Sequence, residues 1–173
     1  MRPRSLVNTS ISYYLSYLYA RLQAREKNIH ALQDATLKSL IQKGKRTETG
    51  KEFGFPTIKN YNDYARQVPV RNYDAIREHI QRMMEGQTNI LWPGLVTWFA
   101  KSSGTTADKS KFIPVTTEHL NHTHTRAGWY TLALLYHRNP ALRVFADKNL
   151  VLTGSISRTA HPDIRYGDVS AIM

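Results

Sequence analysis

The sequence predicts an α/β chain in which helices pack over a mixed sheet, and three observations predict it. Apolar residues recur at helical spacing through the first half of the chain and again beyond residue 116. An apolar run, Leu95 to Ala100, enters a polar loop and a second, Phe112 to Val115, leaves it, which reads as strand, loop, strand. At 173 residues, the chain is long enough for one domain, 1–173, with a sizeable core and no internal boundary. It has no cysteine, which excludes disulfides and thiolate zinc sites.

Ile11, Leu15, Leu18 and Leu22, with Tyr14 beside them, predict a helix from Thr9 or Ser10 to Lys27. Ile29, Leu32, Leu37, Leu40 and Ile41 share one side of a second helix from Ile29 to Lys43, which Gly44 ends. Thr47 to Phe55 reads as a turn-rich connection before Pro56. Asn60 or Asn62 caps a short helix over Asp63 to Gln67, and Val68-Pro69-Val70 follows in extended form. Asn72 caps a helix over Tyr73 to Glu85 carrying Ile76, Ile80, Met83 and Met84, and Gly86 stops it.

Asn89 to Gly94 is a tight connection into the first strand. Beyond the second strand, Thr116 or Thr117 with Glu118 starts a helix reaching about His137, which buries Leu120, Ala127, Leu134 and Leu135. Leu142 to Phe145 and Leu150 to Thr153 are expected as short buried strands, with Gly154-Ser155 turning out of the second. Ile164 to Met173 carries no end signal.

The 24 Lys and Arg against 13 Asp and Glu give a net charge of +11, which raises an anionic partner, nucleic acid included. The cations are scattered, however, and their densest set, Lys38 to Lys51, is interrupted by Glu48 and apolar residues. A solvated basic surface is therefore favoured over a nucleic-acid-binding module. Arg2 and Arg4 precede an apolar stretch, but Ser10, Ser12, Ser16 and the tyrosines at 13, 14, 17 and 19 interrupt it. Neither a signal sequence nor a membrane span fits, so a soluble, cytoplasmic protein is expected.

Ser102, Ser103, Gly104, Thr105 and Thr106 open the loop, and Lys109 and Lys111 close it. Hydroxyls and backbone N–H groups can donate to phosphate oxygens, Gly104 lets the main chain approach, and lysine supplies charge. A solvated Ser/Thr/Gly hairpin is the plain alternative. No glycine stands directly before Lys109-Ser110, so a Walker loop fails, and Gly104 lacks the partners of a dinucleotide-binding turn. If the strand alternates from Ser110, only one of Lys109 and Lys111 faces the site, and the sequence leaves open which. The loop resembles the phosphate loop of acyl-adenylate-forming enzymes, the relatives of firefly luciferase and acyl-CoA synthetases.

The ordered set of motifs is more specific than the loop. Thr47 to Lys51 with Phe53-Gly54-Phe55, Val68-Pro69-Val70 and Tyr73, Gly86, and Leu91 to Gly94 precede Phe99 to Thr106. Lys109 to Pro114, Gly154-Ser155 and Tyr166 to Ala171 follow. This order resembles the plant auxin-responsive promoter family of acyl acid amido synthetases and its bacterial relatives. The resemblance implies the N-terminal portion of an adenylate-forming large domain and an ATP-dependent acid–amino acid ligase. It gives Ser102, Ser103, Thr105 and Thr106 to phosphate oxygens, Gly104 to their close approach, and Lys109 or Lys111 to charge neutralisation. ATP, Mg2+, a carboxylic acid and an amino acid are the implied reactants. The helix after the loop would meet the acid, with His122, Arg126 and Trp129 as candidates. Asp108 departs from the family, which often has glycine there; its carboxylate is expected to point outward.

The family's adenine, ribose and magnesium motifs are expected beyond Met173, so the chain reads as a fragment without full activity alone. An exposed sheet edge or missing-domain surface would favour self-association. A non-catalytic interaction module is the other rival. His119, His122 and His124 crowd together, but His124 sits round from the others and no carboxylate or thiol completes a metal set, so none is assigned. Ser102 and Ser103 lack the G-x-S-x-G elbow of a hydrolase.

Overall fold

A computed structural model of the chain describes residues 3–102, 110–142, 144–145 and 150–172. Its contacts form two compact units, Met1–Ile29 with Glu118–Leu152 and His30–Thr117 with Thr153–Met173.

In the first unit, helix α1 (Pro3–Glu26) packs against α6 (Thr125–Arg138). Leu15, Leu18, Ala133 and Tyr136 are buried between them, with Trp129 and Tyr130 beside them. α6 does not bury the face expected for the helix that follows the second strand. Ala127 is exposed, as are Leu134 and Leu135, while Leu120 is only half-buried. This helix has apolar residues on both sides, so periodicity does not choose between them; the larger aromatic surfaces of Trp129 and Tyr136 do. A π-helical turn, His119–His124, precedes α6, with Thr125 donating to the Leu120 carbonyl through both its N–H and its Oγ1 (2.8 Å).

The described residues of 142–145 and 150–153 do not form the expected buried strands. Leu150, Val151 and Leu152 are 90%, 72% and 86% exposed, and no described residue of either stretch joins the sheet. Their apolar character alone supplied no ladder partner.

The second unit holds α2 (Ile29–Gly44, from His30), α3 (Glu48–Glu52), α4 (Tyr61–Gln67), α5 (Tyr73–Met84), the sheet and α7 (Val169–Ile172). The sheet comprises β1 (Trp98–Lys101), β2 (Phe112–Val115), β3 (Ile156–Arg158) and β4 (Arg165–Asp168) in the order β2-β1-β4-β3. β1 pairs antiparallel with β2 and parallel with β4, and β3 pairs antiparallel with β4, so the sheet is mixed as expected. Ile80, Met83, Ile90, Val96, Phe99 and Ile164 form its core, which joins α5 to the sheet. Asn60 and Asn72 cap α4 and α5, accepting from Asp63 N–H and Ala75 N–H. On α2, Ile41 and Gly44 are buried, while Ile29, Leu32 and Leu40 are exposed. An apolar stripe marks surface that would gain from a cover, and here only the end of the stripe has one.

The expected turn at 47–55 contains α3 and a 3-10 turn, Phe55–Thr57. Thr47, 1% exposed, is the helix cap: its Oγ1 accepts from Gly50 N–H (3.0 Å) and donates to the Gly44 carbonyl (2.7 Å). A Cβ on Gly50 would lie 2.0 Å from the Gly44 oxygen, so only glycine permits this approach. Glu48 and Thr49 donate their N–H groups to the Asn89 and Ile90 carbonyls, and the Glu48 carboxylate takes both guanidinium nitrogens of Arg82 (2.8 and 2.6 Å).

Removing the Thr47 hydroxyl leaves the buried Gly50 N–H unpaired, while the Gly44 carbonyl keeps the Thr47 N–H (2.9 Å). Thr47→Val should therefore cost about 1–2 kcal/mol in urea unfolding, and Thr47→Ser far less. The Arg82 hydrogen bonds hold the Glu48 carboxyl below its ordinary 4.5, aided by the charges of Arg82 and His79 against partial desolvation. A depressed carboxyl contributes stability that is present above 4.5 and lost as pH falls through its lower folded value. Acid-unfolding curves of Arg82→Gln should lack that component.

Candidate functional site

The loop between β1 and β2 leaves the sheet where β1 and β4, running parallel, both end. Lys101 lies opposite Phe112 on one side and Asp168 on the other, so three strands form a row at its base. The carboxyl ends of parallel strands are where open α/β sheets commonly receive ligands. Ser102 N–H donates to the Lys111 carbonyl (2.9 Å), closing the loop at its neck and leaving the Ser102 hydroxyl for other partners. Ser103, Gly104, Thr105, Thr106 and Lys109, with Asp108, lie outside the described residues.

Two stretches distant in sequence complete the base. Asp168 Oδ2 accepts from Ser155 N–H (3.0 Å), Asp168 N–H donates to the Ser155 carbonyl (3.1 Å), and Gly154 N–H donates to Ser170 Oγ (3.1 Å). A Cβ on Gly154 would sit 2.2 Å from Asp168 Oδ2, and one on Gly167 2.3 Å from the Ser155 carbonyl oxygen. Asp168 thus holds the Gly154-Ser155 turn against the end of the sheet.

On the loop's exit side, Phe112 N–H donates to the Tyr73 hydroxyl (2.9 Å), and the Phe112 ring meets Tyr166 edge-on. Lys111 Nζ stands 5.7 Å from the Tyr73 ring centroid and the Arg77 guanidinium 5.3 Å. A cavity of about 700 Å3 opens here, lined by Tyr73, Arg77, Met84, Ser110, Phe112 and His161 among others. Its largely apolar walls suit an organic body, and its charged groups are the Arg77 guanidinium, which pairs with Asp74, and the Glu85 carboxylate. Tyr73 appeared in the sequence as a motif position only; its hydroxyl, which ties α5 to the loop's exit, is reached across residues far apart in the chain. Arg77 and His161 gave no sequence signal.

In the first unit, Arg126 and Trp129 line a pocket of about 240 Å3 together with Arg21, Arg25, Asn121 and Tyr130. His122 is exposed on the π-helical turn and does not line it. Among the described residues, no group of His, Asp and Glu gathers as a metal site, and no helix is long and apolar enough to cross a membrane.

A family model, the GH3 family N-terminal domain, matches residues 18–172. The indole-3-acetic acid-amido synthetase GH3.15 of Arabidopsis thaliana is 28% identical over 111 residues, 64% of this chain and 18% of its own length. The jasmonoyl-L-amino acid synthetase GH3.5 of Oryza sativa subsp. japonica is 32% identical over 134 residues, 74% of this chain and 23% of its own. The solved structure of the acyl acid amido synthetase AtGH3.15 in complex with 2,4-DB superposes with a TM-score of 0.69 at 25% identity. That superposition covers 86% of this chain and 26% of the solved one. The chain therefore spans about a quarter or less of the length of these relatives.

Gly154→Ala should lower the melting temperature markedly by displacing the Asp168 carboxylate, whereas Gly128→Ala, with nothing within 4 Å of its added carbon, should be neutral or stabilising. Tyr73→Phe should cost about 1 kcal/mol and speed exchange of the Phe112 amide, measured by native-state hydrogen exchange.

Proposed function

This chain belongs to the GH3 family, and from that premise we propose that it is the phosphate-gripping portion of an ATP-dependent acid–amino acid ligase. In the reaction, a carboxylate oxygen attacks the α-phosphorus of ATP, the α–β bridging bond breaks, and acyl-adenylate and pyrophosphate result. The amine of an amino acid then attacks the acyl carbon, AMP leaves, and an amide is formed with loss of a proton. Negative charge moves onto the departing pyrophosphate in the first step, and donors already aimed at it stabilise that charge without reorganising solvent.

Ser102, Ser103, Thr105 and Thr106 are assigned to donate to the phosphate oxygens, with Gly104 admitting them close to the main chain. Lys109 or Lys111 supplies the countercharge. The Ser102 N–H is already engaged with Lys111, so its contribution is through the hydroxyl. Magnesium would arrive with the nucleotide, and no residue of this chain is assigned to it. One oxygen of the Asp168 carboxylate, the acidic group nearest the loop in the sheet, accepts from the Ser155 N–H.

The observation carrying this reading is the assembly of the loop's base. Gly154-Ser155 and Tyr166 to Ala171, named in the sequence for their family order, form the strand end beside β1 and the turn clasped to it. A stretch of Ser, Thr and Gly in an ordinary solvated hairpin has no need of either.

Thermal shift with ATP tests the grip. At a hundredfold excess over Kd the expected stabilisation is about 2.7 kcal/mol, lost in Ser103→Ala/Thr105→Val. ATP–pyrophosphate exchange with a panel of carboxylic acids should be absent from this chain by itself. ATP stabilisation that survives the double substitution would remove the loop from the mechanism.

A further inference from the structure

Beyond this ligase reading, we infer that the pocket between α1 and α6 is a binding site for a small multivalent oxyanion, with phosphate or pyrophosphate as its type. Arg21 and Arg25 stand one helical turn apart on α1, and Arg126 faces the same pocket from α6. Arg21 and Arg126 are exposed and Arg25 is half-buried, and like charges one turn apart repel weakly along a helix, a repulsion that a bound anion would offset. None of the described residues lining the pocket is acidic, and no described carboxylate pairs with any of the three guanidiniums.

The site is also shaped. The Arg25 guanidinium lies 5.8 Å from the Tyr130 ring centroid, and Trp129 meets Tyr14 edge-on at 5.6 Å, so aromatic rings form part of the pocket wall and one of them faces Arg25. Asn121 adds an amide, brought to the pocket by the π-helical turn where Thr125 closes onto Leu120. Guanidiniums present planar pairs of N–H donors that match the oxygens of a phosphate or carboxylate.

Charge selects the ligand. A single carboxylate, the group an acyl acid brings, would leave two of the three cations unmatched. A pyrophosphate or phosphate-bearing molecule matches them, and about 240 Å3 admits a small anion rather than a polymer. The site is thus distinct in chemistry from the acyl-acid role that the family order gives to Arg126 and Trp129.

Inorganic pyrophosphate titrated into the chain, followed through the Trp129 indole N–H resonance (assigned by Trp129→Phe), tests this. Saturable shifts are expected, weakened at least about tenfold in Arg25→Gln/Arg126→Gln and steeply by salt, and unchanged in Ser103→Ala/Thr105→Val. Because the loop variant is scored separately, failure here leaves the phosphate-loop assignment standing, and the reverse holds too. Arg25→Lys/Arg126→Lys keeps the charge without the fork and should bind with intermediate affinity. Vesicles containing a phosphoinositide, run beside free pyrophosphate, distinguish a lipid headgroup from a soluble phosphate as the source. Indole-3-acetate shifting Trp129 as tightly as pyrophosphate would overturn the inference in favour of a monocarboxylate site. So would pyrophosphate binding that only the loop substitutions abolish, or no saturable shift at all.

Discussion

The burial of Phe99 and Ala100 in adjacent positions of β1 is the constraint on which the candidate site depends. Phe99 is 0% exposed and Ala100 3%, so both faces of this strand are covered, and its backbone groups have to be met by neighbours on either side. β2 supplies one side through a hairpin. β4 supplies the other in parallel, which requires a long connection and draws 165–168 from far along the chain. A slip of one residue would exchange the two faces, so register is tightly set. The loop consequently emerges from a base whose three strand ends are fixed by a hydrophobic core, not by the loop's own polar residues.

The motif glycines act through the same logic of close backbone approach. Gly50 lies against the Gly44 carbonyl, Gly154 against the Asp168 carboxylate and Gly167 against the Ser155 carbonyl, and any side chain at these places would overlap its neighbour. T-E-T-G-K, which invites a phosphate-binding reading by its composition, is thereby a clasp. Thr47 spends its hydroxyl internally, and Glu48 spends its charge on Arg82. Its distance in role from the loop at 102–111 comes from burial: a hydroxyl with both hydrogen-bonding capacities satisfied and 1% exposure has nothing left for a ligand.

Much of this was legible in the sequence, and the failures have physical causes. Asn72, Asn60 (offered together with Asn62) and Gly86, at φ 99°, marked helix ends because capping and left-handed turns are local chemistry, and α2 closes at Gly44 as expected. Phe112–Val115 was read to the residue, since its run is short, apolar and bounded by polar residues. Arg165–Asp168 and Ile156–Arg158 were missed as strands because polar and small residues dominate them; their place is secured by ladder pairing and by the closeness that Gly167 allows. The opposite error fell on 150–153, where apolar residues stand in the open. The family order of the motifs was recognisable from residues alone, while Tyr73, Arg21 and Arg25 gained their significance only from neighbours brought from elsewhere in the chain.

The first unit is assembled from 1–29 and 118–152, with the bulk of the second unit encoded between them. During synthesis α1 therefore leaves the ribosome on the order of ten seconds before α6, at ordinary elongation rates. Until then Leu15 and Leu18 have no counterpart from α6, and an isolated helix with an uncovered apolar stripe is a ready target for chaperones and for neighbouring nascent chains. The order in which the parts of this unit are written thus sets a waiting time during which α1 stands without its counterpart.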